Sequence, residues 1–413
     1  MNAPETATLA FVQAAERVLS GTFGGPVRLG EAESLRDKYR NRVVRCPVAD
    51  GPAGAPASVI VKASVGEGDH AYDPTKDGRE DTAWRFFNEW AGTRFLNEQR
   101  AADPPLLCAK LLGADRAAGL IVLEDLGTGS SLADALQGDD PVAATTALRQ
   151  YAASMGRLHA QTIGGEDHWR RLRQEVSGHD LGAREGDDWR EKSAARFREH
   201  AVALGVPVVP GFDHEADAVQ RALTQPGPFD AFAPGDTCPD NHRLTPGGPY
   251  LRFFDFEFAG FRHALLDAAY LHLPFPTCWC VARLPGGLPD ELEAAYRKEL
   301  VKGCPEAAED AFFHQAMSHA RAYWTLATVA WGLEGALKEN SDWGLSTNRQ
   351  RHPLRLENFA ARSDRFGHLP ALSQTCRALA VRLRALWPEG DTAMPPYPPF
   401  DGGAPRPAPV SFG

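Results

Sequence analysis

Three polar side chains near the middle of the chain have the types and spacing of a reaction centre. Asp236 lies in the segment Phe232 to Leu244, Asn241 follows within the same loop, and Asp255 comes at the end of the apolar run that starts at Tyr250. An Asp at a loop tip can accept the proton of an incoming hydroxyl, and an Asn where the chain turns back can hold a metal ion. Asp255 lies across a hairpin hinged on residues 245–248, where it can complete the metal's ligand set. One carboxylate, one amide oxygen and phosphate oxygens are the hard ligands that Mg²⁺ prefers. The chemistry this predicts is phosphoryl transfer to a hydroxyl. Taken singly, Asp236 and Asn241 also fit a turn with local side-chain capping, and Asp255 a strand-end cap.

The flanking pattern says what must position these residues. A helix is expected over 1–20, then strands at 27–29, 39–48 and 58–62, with loops at 50–56 and 64–80. Apolar residues at helical spacing predict a helix over 81–96, with Asp81 as its N-cap. Two more strands are expected at 106–113 and 119–124. The pattern then turns helical. Residues 142–162 carry Leu148, Tyr151, Ala152, Met155 and Leu158 on one face, a strand pair falls at 241–256, and long helices lie between 289 and 387. From Pro388 the chain is rich in Pro and Gly without a pattern, which reads as a disordered tail. The division is an N-lobe of five strands and two helices over 1–124, a helical C-lobe over 125–388 and a tail over 389–413, with a ligand cleft expected between the lobes.

With those elements in place, Pro234-Gly235-Asp236 with Asn241, followed by Phe254-Asp255-Phe256-Glu257, resembles the catalytic and metal-binding loops of the aminoglycoside phosphotransferase and choline-kinase-like family. The family pattern is His-Gly-Asp, four residues and Asn, then Ile-Asp-Phe/Trp-Glu. Pro234 stands where the pattern has His, and its ring fixes φ instead. A further landmark, Asp-Pro-x-x-Asp-Leu-Ala, is matched at Asp267. The resemblance covers roughly residues 25 to 330. It implies an α+β, bilobal protein-kinase-like fold with a small antiparallel-sheet N-lobe and a mainly helical C-lobe. It also implies that Lys62 contacts the α- and β-phosphates, that Glu89 pairs with Lys62, and that the link at Glu124, Asp125 and Leu126 receives the adenine. The turn from Gly30 to Lys38 would cover the phosphates, while His159, Glu257 and Asp267 would be structural.

The activity so implied is a small-molecule kinase that moves the γ-phosphoryl group of ATP, with Mg²⁺, to a hydroxyl of a small acceptor such as an antibiotic, sugar or metabolite. The acceptor pocket would draw on Trp279, Arg321, Tyr323, Trp324 and Trp331, although aromatics at helical spacing are more often core. The alternative is a nucleotide-binding pseudokinase with a scaffold or regulatory role.

Composition fits these expectations. The 413 residues suffice for two cores, and 43% hydrophobic with 24% charged residues is ordinary for a globular chain. A net charge of -10 without a long Lys/Arg run argues against a nucleic-acid partner. No run of about 18 apolar residues predicts a membrane span. The N-terminus lacks the basic region of a signal peptide, so a cytoplasmic monomer or homodimer is expected. Seven cysteines, an odd number, argue against a disulfide framework and for buried free thiols. Cys278 and Cys280 are the only close pair, without the second pair that a zinc site needs.

Overall fold

A computed structural model describes residues 3–37, 40–66, 68, 71–99, 106–181, 188–245, 248–273 and 275–402. The first helix, α1 (Ala3–Phe23), leads into β1 (Arg28–Leu29), β2 (Glu33–Asp37), β3 (Asn41–Asp50) and β4 (Ser58–Ser64). After α2 (Thr82–Glu98), strands β5 (Leu111–Asp115) and β6 (Leu120–Glu124) complete an antiparallel sheet ordered β1-β3-β4-β6-β5, with β2 also on β3. Period-two alternation gives this sheet two faces. Val59, Val61 and Ala63 of β4 pack with Phe11, Ala15 and Leu19 of α1. Ile121 and Leu123 of β6 pack with Phe86, Phe87 and Ala91 of α2 on the opposite face.

Two local expectations for this lobe need correction. The sheet has six strands, because β2 lies inside the stretch expected to be the phosphate-covering turn. Glu33 pairs with Arg45 and Asp37 with Arg42. The turn itself falls between β2 and β3, where Lys38 lies outside the described residues. Asp81 precedes α2, but its side chain does not cap the helix; its carboxylate accepts from the Gly78 amide instead (2.8 Å).

The second lobe begins with α3 (Leu132–Gln137), α4 (Pro141–Thr162), α5 (Glu166–Ser177), α6 (Ala195–Ala203) and α7 (Phe212–Thr224). Two short antiparallel pairs follow. β7 (Asp230–Ala233) pairs with β10 (Gly260–His263), and β8 (His242–Arg243) pairs with β9 (Arg252–Phe253). The chain continues through α8 (Leu265–Ala268), α9 (Leu288–Leu300), α10 (Asp310–Lys338), the small hairpin β11 (Asp342–Trp343) and β12 (Ser346–Thr347), α11 (Asn348–Phe366) and α12 (Pro370–Leu386). The α4 face foreseen from Leu148, Tyr151, Ala152, Met155 and Leu158 is buried in one continuous core. Helices α4 and α9 approach closely at Gly156, where a Cβ would come within 2.2 Å of the Tyr296 carbonyl oxygen. The result is a bilobal α+β architecture, a small antiparallel-sheet lobe followed by a mainly helical one.

Two further expectations fail. The stretch from Pro388 is folded as far as Gly402. Tyr397 is fully buried, its amide donates to the Arg283 carbonyl (3.0 Å), and the Arg283 amide donates to the Pro395 carbonyl (2.8 Å). A Pro-rich segment has no period to read, yet it can dock through a few large side chains. The cysteines are not all free thiols either. Cys238 and Cys278, 40 residues apart, form a disulfide with a Cα separation of 5.6 Å, and the other five are buried and free. An odd count says nothing about which thiols the fold brings together.

Candidate active site

The deepest part of the interlobe cleft is built around Lys62. Strand β4 is hydrogen-bonded on both sides, with Lys62 opposite Val43 and Ile121, so its side chain has a fixed direction. The Lys62 Nζ donates to Asp255 Oδ1 (2.6 Å) and to Glu89 Oε2 (2.9 Å). Glu89 is buried on α2. Burial alone would lower the Lys62 pKa, but the carboxylates of Asp255, Glu89 and Glu257 outweigh it, and the ammonium is held well above its usual range. Burial pushes Glu89 up, with the charges of Asp255 and Glu257 adding to it against the pull of Lys62. One ammonium among three carboxylates leaves an excess of negative charge here.

Asp255 is one of three non-glycine residues with positive φ among the described residues, at 71°. That backbone turn is uncommon for a residue with a Cβ, and it places the carboxylate at the cleft beside Phe254 and Asn241. The Asn241 Nδ2 donates to the Asp236 carbonyl (3.2 Å), and Asn241 lines the cleft. Asn241 and Asp255 both line the cleft with oxygen-bearing side chains, the hard type of donor that Mg²⁺ takes.

The cleft has a volume of about 310 Å³. Leu35, Val43, Ile60, Ala109, Leu123 and Phe254 give it apolar walls, and Lys62, Glu89, Asn241 and Asp255 line it together with Glu124, Asp125 and Leu126. The link side chains are already engaged. Glu124 accepts from Arg252 Nη1 (3.0 Å) and Nη2 (2.6 Å) and from the Lys110 amide (3.0 Å). Asp125 accepts from Arg45 Nε (2.8 Å), Ser58 Oγ (2.7 Å) and the Gly127 amide (2.8 Å). Whatever the link offers a ligand therefore comes from its backbone.

Asp236 is part-buried and is not among the residues that line this cleft, although Asn241, which does line it, bonds the Asp236 carbonyl. Its Oδ1 accepts from the Cys238 amide (3.2 Å). Burial, then the charge of Asp255, raises its pKa from 3.8 to about 6. The loop reaches this place through Gly235, at φ 91°, where a Cβ would lie 2.1 Å from the Phe258 carbonyl oxygen. Tyr151 of α4 holds the loop from beneath, its hydroxyl donating to the Thr237 carbonyl (3.1 Å).

Of the residues considered for an acceptor pocket, only Trp279 reaches this loop, its Nε1 donating to Asp240 Oδ2 (3.2 Å). Arg321 is buried against Glu293, and Trp324 is buried with its Nε1 on the Leu266 carbonyl (2.8 Å). Tyr323 stacks on Trp189, and Trp331 is exposed. Arg321 and Trp324 of α10 thus belong to the core, whereas Trp331 faces outward. His159 and Asp267 join Arg262 and Tyr296 in a buried polar cluster away from the cleft. Sequence reasoning missed Arg45, Arg252, Tyr151 and Cys278. Arg45 alone left a signal, as a cation between the apolar pairs Val43-Val44 and Cys46-Pro47.

No family model matches the chain, and no curated protein matches it. Solved structures do. A choline/ethanolamine kinase family protein from Mesorhizobium loti is 16% identical, with 88% of this chain and 98% of that one covered at a TM-score of 0.43. A choline kinase from Streptococcus pneumoniae is 15% identical, covering 84% and 98% at 0.40. A macrolide 2'-phosphotransferase type I is 13% identical, covering 81% and 94% at 0.42. Likeness at this level speaks to neither substrate nor chemistry.

Proposed function

We propose that this protein is a small-molecule kinase that transfers the γ-phosphoryl group of ATP to a hydroxyl of its acceptor. The observation that carries this reading is the meeting of Lys62, Glu89 and Asp255, from three separate segments, in a cleft that Asn241 also lines. Phosphoryl transfer asks for positioning and charge stabilisation more than covalent help. Lys62, kept protonated and aimed by two carboxylates, would hold the α- and β-phosphates. The apolar walls would take the adenine, with its edge on the backbone at Glu124 to Leu126. Asn241 and Asp255 would hold Mg²⁺, which when bound supplies positive charge against the phosphate oxygens. Asp236, with a pKa of about 6, is ionised at neutral pH and basic enough to take the proton of the acceptor hydroxyl. Gly235 and Tyr151 would fix where it stands.

The test combines a thermal shift with ATP, with and without Mg²⁺, and ADP release in the presence of candidate hydroxyl compounds. Metal-dependent stabilisation with acceptor-stimulated ADP release is the expected result. Nucleotide binding without any turnover would instead favour the pseudokinase reading.

A further inference from the structure

We infer that the Cys238–Cys278 disulfide is a redox-sensitive brace: it ties the proposed catalytic loop to the C-lobe scaffold, and a dithiol that opens it loosens the loop and slows turnover. This rests on the function proposed above. Cys238 sits inside the loop, two residues past Asp236. Its amide donates to Asp236 Oδ1 (3.2 Å), and its carbonyl accepts from the Asn241 amide (3.0 Å). One cysteine is therefore bonded to both the proposed base and the proposed metal ligand. The Asp236 carboxylate and the two sulfurs lie within 4.8 Å of one another.

The other half of the bond is anchored. The Cys278 amide donates to the Phe275 carbonyl (3.0 Å), and its carbonyl accepts from Arg351 Nη1 (2.9 Å). Arg351 is a buried guanidinium on α11 that also bonds the carbonyls of Trp279 (2.9 Å) and Trp343 (2.5 Å) and the Ser346 hydroxyl (3.1 Å). Arg351 thus gathers the 278–279 segment and the β11–β12 hairpin into one scaffold, and the disulfide carries that rigidity to Asp236. Without it, the side-chain hydrogen bonds to residues 236–240 from outside the loop are, among the described residues, two neutral donors, Tyr151 on the Thr237 carbonyl and Trp279 on Asp240, beside the Ala133 amide on the Pro239 carbonyl.

The reaction balances with an external dithiol. Two electrons and two protons pass to the cystine, the S–S bond breaks, two thiols form, and the reductant closes to its own cyclic disulfide. Cys238 is the less buried partner, at 9% exposure against 1% for Cys278. The five other cysteines are buried free thiols, so they offer no competing disulfide to reduce. In a reducing compartment such a bond is transient, which makes the brace a switch.

The experiment compares the protein with and without dithiothreitol, alongside the Cys238→Ser/Cys278→Ser double variant. Non-reducing peptide mapping should recover a 238–278 link. Reduction should speed amide hydrogen exchange in residues 236–244 by about tenfold. MgATP turnover, read as hydrolysis in the absence of an acceptor, should fall by roughly tenfold while the KM for MgATP stays within about twofold, because misplacing a reacting group costs rate more than nucleotide binding. The double variant should match the reduced protein and ignore the reductant. The inference is overturned by a missing 238–278 link or by a link to Cys280 instead. It is equally overturned by exchange and turnover that do not change on reduction, or by a double variant that still responds. Exchange that responds in a protein with no ATP turnover in either state would overturn the kinase reading and leave the brace standing.

Discussion

The two sides of the cleft are held by different forces. On the proposed nucleotide side, Lys62 with Glu89 and Asp255, Arg252 with Glu124, and Arg45 with Asp125 form three separate groups of charge pairs. On the proposed acceptor side, one backbone amide bonds the Asp236 carboxylate, and its loop is held by a tyrosine hydroxyl and by a disulfide whose far end a guanidinium anchors through a carbonyl. Charge pairs can exchange partners when a charged ligand arrives, whereas neutral and covalent ties keep their geometry. A phosphotransferase needs both: a side that re-pairs around Mg²⁺ and phosphates, and a side that keeps one carboxylate in place.

The sharpest way to break this contrast is to remove one key group from each side. Asp236→Asn should lower turnover by roughly 100- to 10,000-fold, the range for a lost general base, with MgATP affinity nearly unchanged. Because folding raises the Asp236 pKa above 3.8, its ionisation opposes folding as pH rises from about 4 through about 6. The neutral variant should therefore melt no lower than the parent at pH 7, as calorimetry would read. Lys62→Met should lower turnover by roughly 100- to 1,000-fold and weaken MgATP binding as well. It leaves Glu89, Asp255 and Glu257 without their cation, so its melting temperature should drop, and Mg²⁺ should recover part of the loss. Equal stability of the Lys62 variant with EDTA and with Mg²⁺ would contradict the view of this side as a charge-balanced cation site.

Smaller effects sharpen the comparison. Asp236 must lose its proton to act, so turnover should fall about tenfold per pH unit below about 6 and level off above it. A profile flat down to pH 5 would remove Asp236 from the role of base. Gly235→Ala forces a Cβ against the Phe258 carbonyl at positive φ and should cost about 1–3 kcal/mol, visible in urea unfolding. Arg252→Ala opens a part-exposed pair at the link and should cost only about 1 kcal/mol, with a modest rise in the KM for ATP.

Much of the site was legible because its residues are tied to local pattern. Lys62 lies on an alternating strand and Glu89 on a helix with apolar spacing, while Asp236, Asn241 and Asp255 share one short stretch. What was hidden depends on tertiary distance. β2 is polar, with Leu35 42% exposed, and is a strand only because β3 offers it hydrogen bonds. The Cys238–Cys278 pairing spans 40 residues with no motif. Arg321 and Trp324 have the composition of a ligand pocket, but helix packing turned them inward.

The docking of Tyr397 decides how far the protein can be trimmed. The strand-like contact between Arg283 and Pro396 lies only a few residues from Cys278. A version cut at residue 388 would keep α1 to α12 and every proposed catalytic group, yet would lose the clasp on the 280–283 segment. Shortening the chain for convenience would then loosen, from behind, the segment that carries Cys278, and such a protein would be a poor stand-in for the whole.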